Sequence, residues 1–418
     1  MKKTILMIWL VAAMATSSFA QARDLQFWRP SDFRGINTFE TTKLDTVAYE
    51  GLTIRIGGAN TLQFQALDAS TGSEEEIFDL GSNFNLATSN LDIDVQLYPG
   101  LRMHLRTYLS SRHHTQPYVK GGYMQVDRLD FIRDGFMAPL MDKLTFKVGH
   151  MQINYGDNHF RRTDNGQAIF NPFVGNYIMD SFTTEVGGEV YYQSNGFIGM
   201  LGLTNGKLNQ STVKPDEDDP QTQPSIVAKL GFDDQVTDDL RFRLTGSVYH
   251  TGESARTYLY AGDRAGSRYY NILTDNPGEF RIPRFDPGFI NELTALMVNT
   301  FVKFQGLEFY GVLENASGKA AAEPDTRTFN QYGAELLYRF GPEEKIYLGT
   351  RYNLVTGETR AGYDVDIDRF NIGGGWFLTK NVMAKAEYVT QSYSGFPADN
   401  VFYEGEFSGI MLEAIISF

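Results

Sequence analysis

The side chains able to do chemistry in this sequence are charges set at alternate positions, not nucleophiles paired with bases. Asp92 and Asp94 precede a Pro99-Gly100 turn, and Arg102, His104 and Arg106 follow it, so the two sets face each other across a tight hairpin. The same even spacing recurs at Glu185 and Glu189, at Arg241 and Arg243, and at Lys385 and Glu387, with Arg55, Lys147, Arg339 and Arg351 as single members. Residues 156–181, GDNHFRRTDNGQAIFNPFVGNYIMDS, gather Asp157, His159, Arg161, Arg162 and Asp164, then turn apolar at Ile169, Phe170, Phe173 and Val174. Opposed rows of fixed charge make ion pairs, or a transverse field that sorts charged solutes; they break no bonds. With 6 His, no Cys and no Ser-His or Asp-His pair at one strand end, nothing supplies a nucleophile with its base. The expectation is a protein that is not an enzyme, with no metal and no cofactor.

These charges keep their spacing because the chain around them alternates. Leu91, Ile93, Val95 and Leu97 interleave with Asp92, Asp94 and Gln96, and Leu240, Phe242 and Leu244 with Arg241, Arg243 and Thr245. Period two is the signature of an extended strand with one apolar and one polar face, whereas a helix requires 3.6. About sixteen such segments are expected, near 50–67, 87–98, 101–112, 119–131, 143–155, 182–194, 197–207, 224–233, 239–252, 291–305, 307–318, 327–341, 344–358, 365–379, 381–393 and 403–418. Most are far longer than the roughly five or six residues of a strand in a soluble sheet. Tight turns at Pro99-Gly100, Asn195-Gly196, Gly306 and Thr379-Lys380 alternate with long connections at 68–86, 156–181, 208–223 and 253–290. Short periplasmic turns, long external loops and an even strand number describe an all-β fold, a transmembrane antiparallel β-barrel. The 132–142 connection is longer than a periplasmic turn requires.

Magnitude decides which face meets lipid. Turned over, the 101–112 strand would put Arg102 and Arg106 in hydrocarbon at roughly 2–4 kcal/mol each near the midplane, against a whole folding stability of ~5–15 kcal/mol. The charged face therefore lines a lumen, and a barrel of about sixteen strands is wide enough to keep an aqueous channel.

The first residues set the compartment. Lys2 and Lys3, the apolar run ILMIWLVAAMA from Ile5 to Ala15 and the small residues Ser18, Ala20 and Ala22 read as a signal peptide over 1–22. Beyond it no run of eighteen apolar residues exists, so transmembrane helices are excluded. The net charge of -14, with basic residues scattered singly, excludes nucleic acid as a partner. Residues 23–49 form a periplasmic tail or a segment tucked into the lumen, and 50–418 the barrel, set in outer-membrane lipid and lipopolysaccharide. The acidic stretch 215–220 reads as a solvated loop. Asp364, Asp366 and Asp368, on one side of a strand above the bilayer, have the spacing of a possible cation site.

Resemblances sharpen this picture. The last strand alternates through Ile410, Leu412, Ala414 and Ile416 to Phe418, which resembles the terminal signature read by the barrel-assembly machinery. Trp28-Arg29-Pro30-Ser31-Asp32 followed by Gly35-Ile36-Asn37-Thr38-Phe39-Glu40 resembles putative porins of Bacteroidota. Phe146-Lys147-Val148-Gly149-His150, leading into Tyr155-Gly156, is similar to the strand before a pore loop in the phosphate-selective porin O and P superfamily. The dense lysine or arginine ladder that phosphate selection implies is not present. These resemblances imply a Gram-negative outer-membrane porin, single or as a homotrimer: a water-filled diffusion channel for small hydrophilic solutes, narrowed by its third external loop, here 156–181. Arg161 and Arg162 would then set the local field opposite wall carboxylates such as Glu185 and Glu189. The rival expectation is a gated transporter for a hydrophobic or anionic solute, with residues 23–49 as its plug.

Overall fold

The computed structural model describes residues 24–418 apart from 111–113, 209–211, 214–215, 218, 263–267 and 280, so the expected leader lies outside the described residues. Sixteen strands follow one another: β1 Thr53–Ser70, β2 Asn83–Tyr98, β3 Leu101–Ser110, β4 His114–Val126, β5 Leu144–Gln152, β6 Thr184–Ser194, β7 Phe197–Thr204 and β8 Ser225–Gln235. The second half comprises β9 Leu240–Thr251, β10 Glu292–Phe304, β11 Leu307–Lys319, β12 Arg327–Phe340, β13 Ile346–Glu358, β14 Asp364–Thr379, β15 Val382–Ser394 and β16 Glu406–Ser417. Each is antiparallel to its sequence neighbours, and β1 pairs with β16 to close the barrel. At the seam Phe418 exchanges backbone hydrogen bonds with Gly58 at 2.9 and 3.0 Å.

All sixteen expected strands form, and their ends move by a few residues. The largest move is β4, which starts at His114 and stops at Val126. The over-long connection after it has a structural reason: it folds back in hydrogen-bonded turns around a four-residue helix, α1 Ala138–Met141, with a proline in its first turn.

The two faces separate as the transfer costs demand. Leu336, Leu348, Ile372, Trp376 and Leu412 are each about half exposed on the outside, and on the same strands Arg339, Arg351, Asn371 and Glu413 point inward and are buried. The acidic row on β14 faces away from the lumen: Asp364 and Asp366 are exposed, while the alternate Val365 and Ile367 are buried. Among the described residues no group of His, Cys, Asp or Glu could hold a metal ion.

The lumen itself departs from expectation. It is not an open aqueous bore, because three stretches of chain fill much of it: the 153–183 connection, the segment from Asp24 towards β1, and the 252–291 connection. Charged wall residues explain the filling. A lumen wall carrying this many ionic groups can be covered only by chain that answers each group with an opposite charge or a hydrogen bond, and the inserted segments supply both.

Leu336→Arg should cost roughly 2–4 kcal/mol if its side chain sits near the bilayer midplane. Folding into lipid vesicles, followed by the electrophoretic shift between folded and unfolded barrel, should show the loss. Wild-type folding would contradict the assignment of this face to lipid.

Candidate functional site: the loop that crosses the lumen

Every residue from Ile153 to Glu185 is buried except His159, Phe160 and Phe170. The path of this stretch can be followed from wall to wall. Leaving β5, it first meets β8 and β9. Asp157 takes two hydrogen bonds from Arg243 at 2.8 Å each, one from Thr245 at 2.8 Å and one from Lys229 at 3.0 Å. Arg161 then crosses to Glu335 on β12 at 3.1 Å and approaches Glu308 on β11 at 3.9 Å.

The tip reaches the opposite wall. Asn165 donates to Ser89 at 2.8 Å and Asn90 at 2.9 Å, and Thr61 donates to the Gly166 carbonyl at 2.7 Å. A Cβ on Gly166 would lie 2.7 Å from the Ala59 carbonyl oxygen and 2.8 Å from the Ser89 Cα, so only glycine lets the loop backbone come this close.

The return limb lies along β12–β15. Lys385 donates to the carbonyls of Ala168, Asn171 and Phe173 at 3.2, 3.1 and 2.9 Å. Val174 donates its N–H to Glu387 at 2.8 Å, Ile178 to Asn353 at 2.7 Å and Met179 to Gln331 at 2.9 Å.

Several expectations about this loop change. Glu185 and Glu189 do not face Arg161 and Arg162. Glu185 accepts from Thr204 and Tyr249, and Glu189 from the Tyr191 hydroxyl and the Asn154 N–H. Arg161 turns instead to Glu308 and Glu335, and Arg162 to Asp180 of its own loop, through two hydrogen bonds of 2.8 and 2.6 Å. The bidentate Arg162–Asp180 pair and the Arg161–Glu335 pair neutralise both arginines, so neither projects a free charge into an open bore. His159 is held neutral: burial, then the neighbouring Lys229 cation, puts its imidazole well below the usual histidine range.

The wall charges sort into pairs with a few exceptions. Arg106 and Asp92 sit opposite each other in the β2–β3 register and bond at 2.7 Å. Asp94 is opposite His104, not Arg102, and bonds it at 2.7 Å, with Arg55 at 3.6 Å. Arg241 pairs with Asp233, Arg339 with Glu308, and Arg351 with Glu335.

Two groups escaped the sequence reading. Lys120 enters the lumen because an extra residue in β4 opposite Arg106 and Thr107 breaks the alternation, and its ammonium pairs with Asp164. Inserted tyrosines account for the second. Tyr155 and Tyr260 donate to Glu314 at 3.1 and 2.8 Å, Tyr177 to Glu335 at 3.0 Å and Tyr269 to Glu387 at 2.6 Å. Tyrosine count alone carries no hint of this, since a rim tyrosine and a plug tyrosine look alike in sequence.

The N-terminal segment closes the other side. Phe39 packs against Phe160 and Phe301 with centroids 5.7 and 5.4 Å apart and under Arg243 at 4.2 Å. Glu40 pairs with Arg243 at 2.8 Å and Lys229 at 3.2 Å, the two cations that also hold Asp157. Burial alone would raise the Glu40 carboxyl, but Arg243 and Lys229 outweigh it and hold the group down to about 2. From outside, Gln65 exchanges 2.8 and 3.0 Å hydrogen bonds with the Tyr270 backbone, which fixes the 252–291 connection above the loop.

Between the crossing loop, the N-terminal segment and the inward faces of β2–β6 lies a cavity of about 230 Å3. It brings together Asp92, Asp94, Arg102, His104, Arg106 and Lys147 of the wall with His159, Arg162 and Asp164 of the loop. Arg55, Asp157, Arg161, Glu185, Glu189, Arg241, Arg243, Arg339 and Arg351 lie outside its lining.

The barrel matches solved structures over nearly its whole length. An anion-selective porin from Comamonas acidovorans superposes with a TM-score of 0.54 at 9% identity, over 88% of this chain and 100% of that one. The outer-membrane channel DcaP of Acinetobacter baumannii gives 0.51 at 11% identity, over 89% and 99%. Vibrio cholerae OmpT, an outer-membrane protein, gives 0.51 at 12% identity, over 89% and 99%. The fold is that of outer-membrane porin barrels. No family model matches the sequence, and no curated protein matches it.

Two outcomes follow from this geometry. Gly166→Leu should push the loop tip off β1 and β2, seen as new protease sensitivity within 156–181 with the barrel intact; an unchanged digestion pattern would show that the close approach does not hold the loop. Acid should act on the other anchor. Glu40 and Asp157 are both held below their ordinary range, so their contribution is full above the ordinary carboxyl pKa of about 4.5 and fades as pH falls from there towards about 2. Protease sensitivity of the N-terminal segment should rise over that window and stay flat between pH 6 and 8.

Proposed function

We propose that the barrel is a porin-type channel of restricted bore, through which small hydrophilic solutes pass between the crossing loop and the wall of β2–β6. The observation that carries this reading is the placement of the cavity. The loop is bonded to β8–β15, β1 and the near part of β2, it meets β3, β4 and β6 through Arg106, Lys120 and Glu189, and the space left over lies against the polar faces of β2–β6. Its lining of paired and unpaired charges suits a hydrated solute and would strongly disfavour a hydrophobic one. The short likenesses to Bacteroidota and phosphate-selective porins support the channel class rather than any one solute.

A second reading is favoured by Glu40, which shares Arg243 and Lys229 with Asp157 and so ties the N-terminal segment to the loop. That linkage is what a plug requires: release of the segment would loosen the loop.

Planar-bilayer recordings separate the two. The restricted channel predicts steps well below those of an open sixteen-strand bore, growing several-fold when 161–176 is shortened. Removal of residues 24–46 opening an otherwise silent barrel would favour the plug. Steps unaffected by loop shortening would sink the proposal that the loop sets the bore.

A further inference from the structure

Three cations lining the cavity have no carboxylate within ion-pair distance among the described residues: Arg29, Arg102 and Lys147. Their neighbours are matched. Asp92 holds Arg106, Asp164 holds Lys120, Arg106 and Arg162, Asp94 holds His104 and Arg55, and Glu40 is taken by Lys229 and Arg243.

Two of the unmatched groups, Arg102 and Lys147, belong to the wall, and Arg29 to the N-terminal segment. Arg102 is 4% exposed; its Nη2 donates to the Gln125 side-chain amide oxygen at 2.6 Å, and its Nε meets no acceptor. The Lys147 ammonium lies 5.6 Å from the Tyr123 ring centroid and 4.9 Å from that of Tyr191. Among the described residues Arg29 donates to the carbonyls of Gly35 and Phe160, and its guanidinium rests 3.7 Å from the Phe170 centroid. Glu189 stands opposite Lys147 in the β5–β6 register, but its oxygens are engaged by the Asn154 N–H and the Tyr191 hydroxyl.

Register places the two wall cations in one row. Arg102 is opposite Gln125, and Gln125 is opposite Lys147, so their backbones stand two strand spacings apart, roughly 9–10 Å. Tyr123 lies between them, with the Arg102 guanidinium 5.9 Å from its ring. Projecting into the lumen from strands so spaced, the guanidinium and the ammonium can approach one carboxylate from its two sides. Arg102 is buried without a counter-charge, which is costly, and an anion entering here relieves that cost. Among the polar groups of the lining stand the aromatic side chains of Tyr123, Tyr191, Phe160 and Phe170, against which a flat or apolar body can pack.

We propose that the cavity is a binding site for a small organic monocarboxylate, its carboxylate held between Arg102 and Lys147 and its body against the aromatic walls. The inference rests on the channel reading for what the site serves, and it names the class of solute. A neutral sugar would leave the cations unmatched, and an inorganic anion would leave the ring faces unused.

Tryptophan supplies a readout independent of conduction. Trp28 lines the cavity, Trp376 faces outward on β14, and Trp9 belongs to the expected leader. Titrating the detergent-solubilised full barrel with benzoate should give a saturable change in emission, with benzyl alcohol and inorganic phosphate at least ten-fold weaker. Arg102→Gln with Lys147→Gln should weaken benzoate at least ten-fold, and Lys147→Arg should restore most of it; if the double variant does not form a barrel, Arg102→Gln is read alone. Equal responses to benzyl alcohol or phosphate, indifference to the variants, or no response to benzoate would each overturn the proposal. A barrel that binds benzoate but never conducts would refute the channel reading and leave the site standing. One that conducts and ignores benzoate would do the reverse.

Discussion

Everything inside this barrel depends on matching buried charge. Arg243 is fully buried and would be prohibitive alone; it is tolerated because Asp157, Glu40 and Asp233 all reach it, at 2.8, 2.8 and 3.0 Å. Breaking such a cluster by removing one member costs about 3–5 kcal/mol, since the partner left behind is an uncompensated ion. The three anions come from three separate stretches of chain: the crossing loop, the N-terminal segment and β8. A single guanidinium thus fixes the relative positions of two inserted segments and the wall. The same logic holds at Glu335, which receives Arg161, Arg351 and Tyr177.

Sequence shows the barrel well because its determinants are local. Lipid on one side and polar matter on the other impose period two along each strand, so Leu336 and Arg339, or Leu348 and Arg351, declare their faces without knowledge of any neighbour. The hairpin pair Asp92–Arg106 is legible for the same reason, being fixed by a two-residue turn. What fills the lumen is set by contacts across hundreds of positions, as from Ile178 to Asn353 or Gln65 to Tyr270, and no local pattern encodes these. The error over Glu185 and Glu189 has this origin: adjacency to the loop in sequence is not adjacency across the bore. Lys120 was hidden by a bulge, where one extra residue reverses which side chains point inward.

Identity of 9–12% with other barrels of this fold fits the same division. Alternation constrains the kind of side chain at each wall position and leaves its identity free. The inserted segments are where a barrel of this class becomes individual, because each inward charge must be answered by a particular partner.

The loop tip lies at the seam. Gly166 and Asn165 are fastened to β1 and β2, the return limb to β15 through Lys385, and Lys385 in turn to Glu413 of β16 at 2.6 Å. The first and last strands therefore share one strap, which is also held along β8–β13. During biogenesis an unclosed sheet would leave those ionic groups in water, and joining the two edges lets the strap settle and the groups find one another. Closing the seam thus brings the last anchors of the strap within reach, linking the zipping of the cylinder to the stopping of its bore.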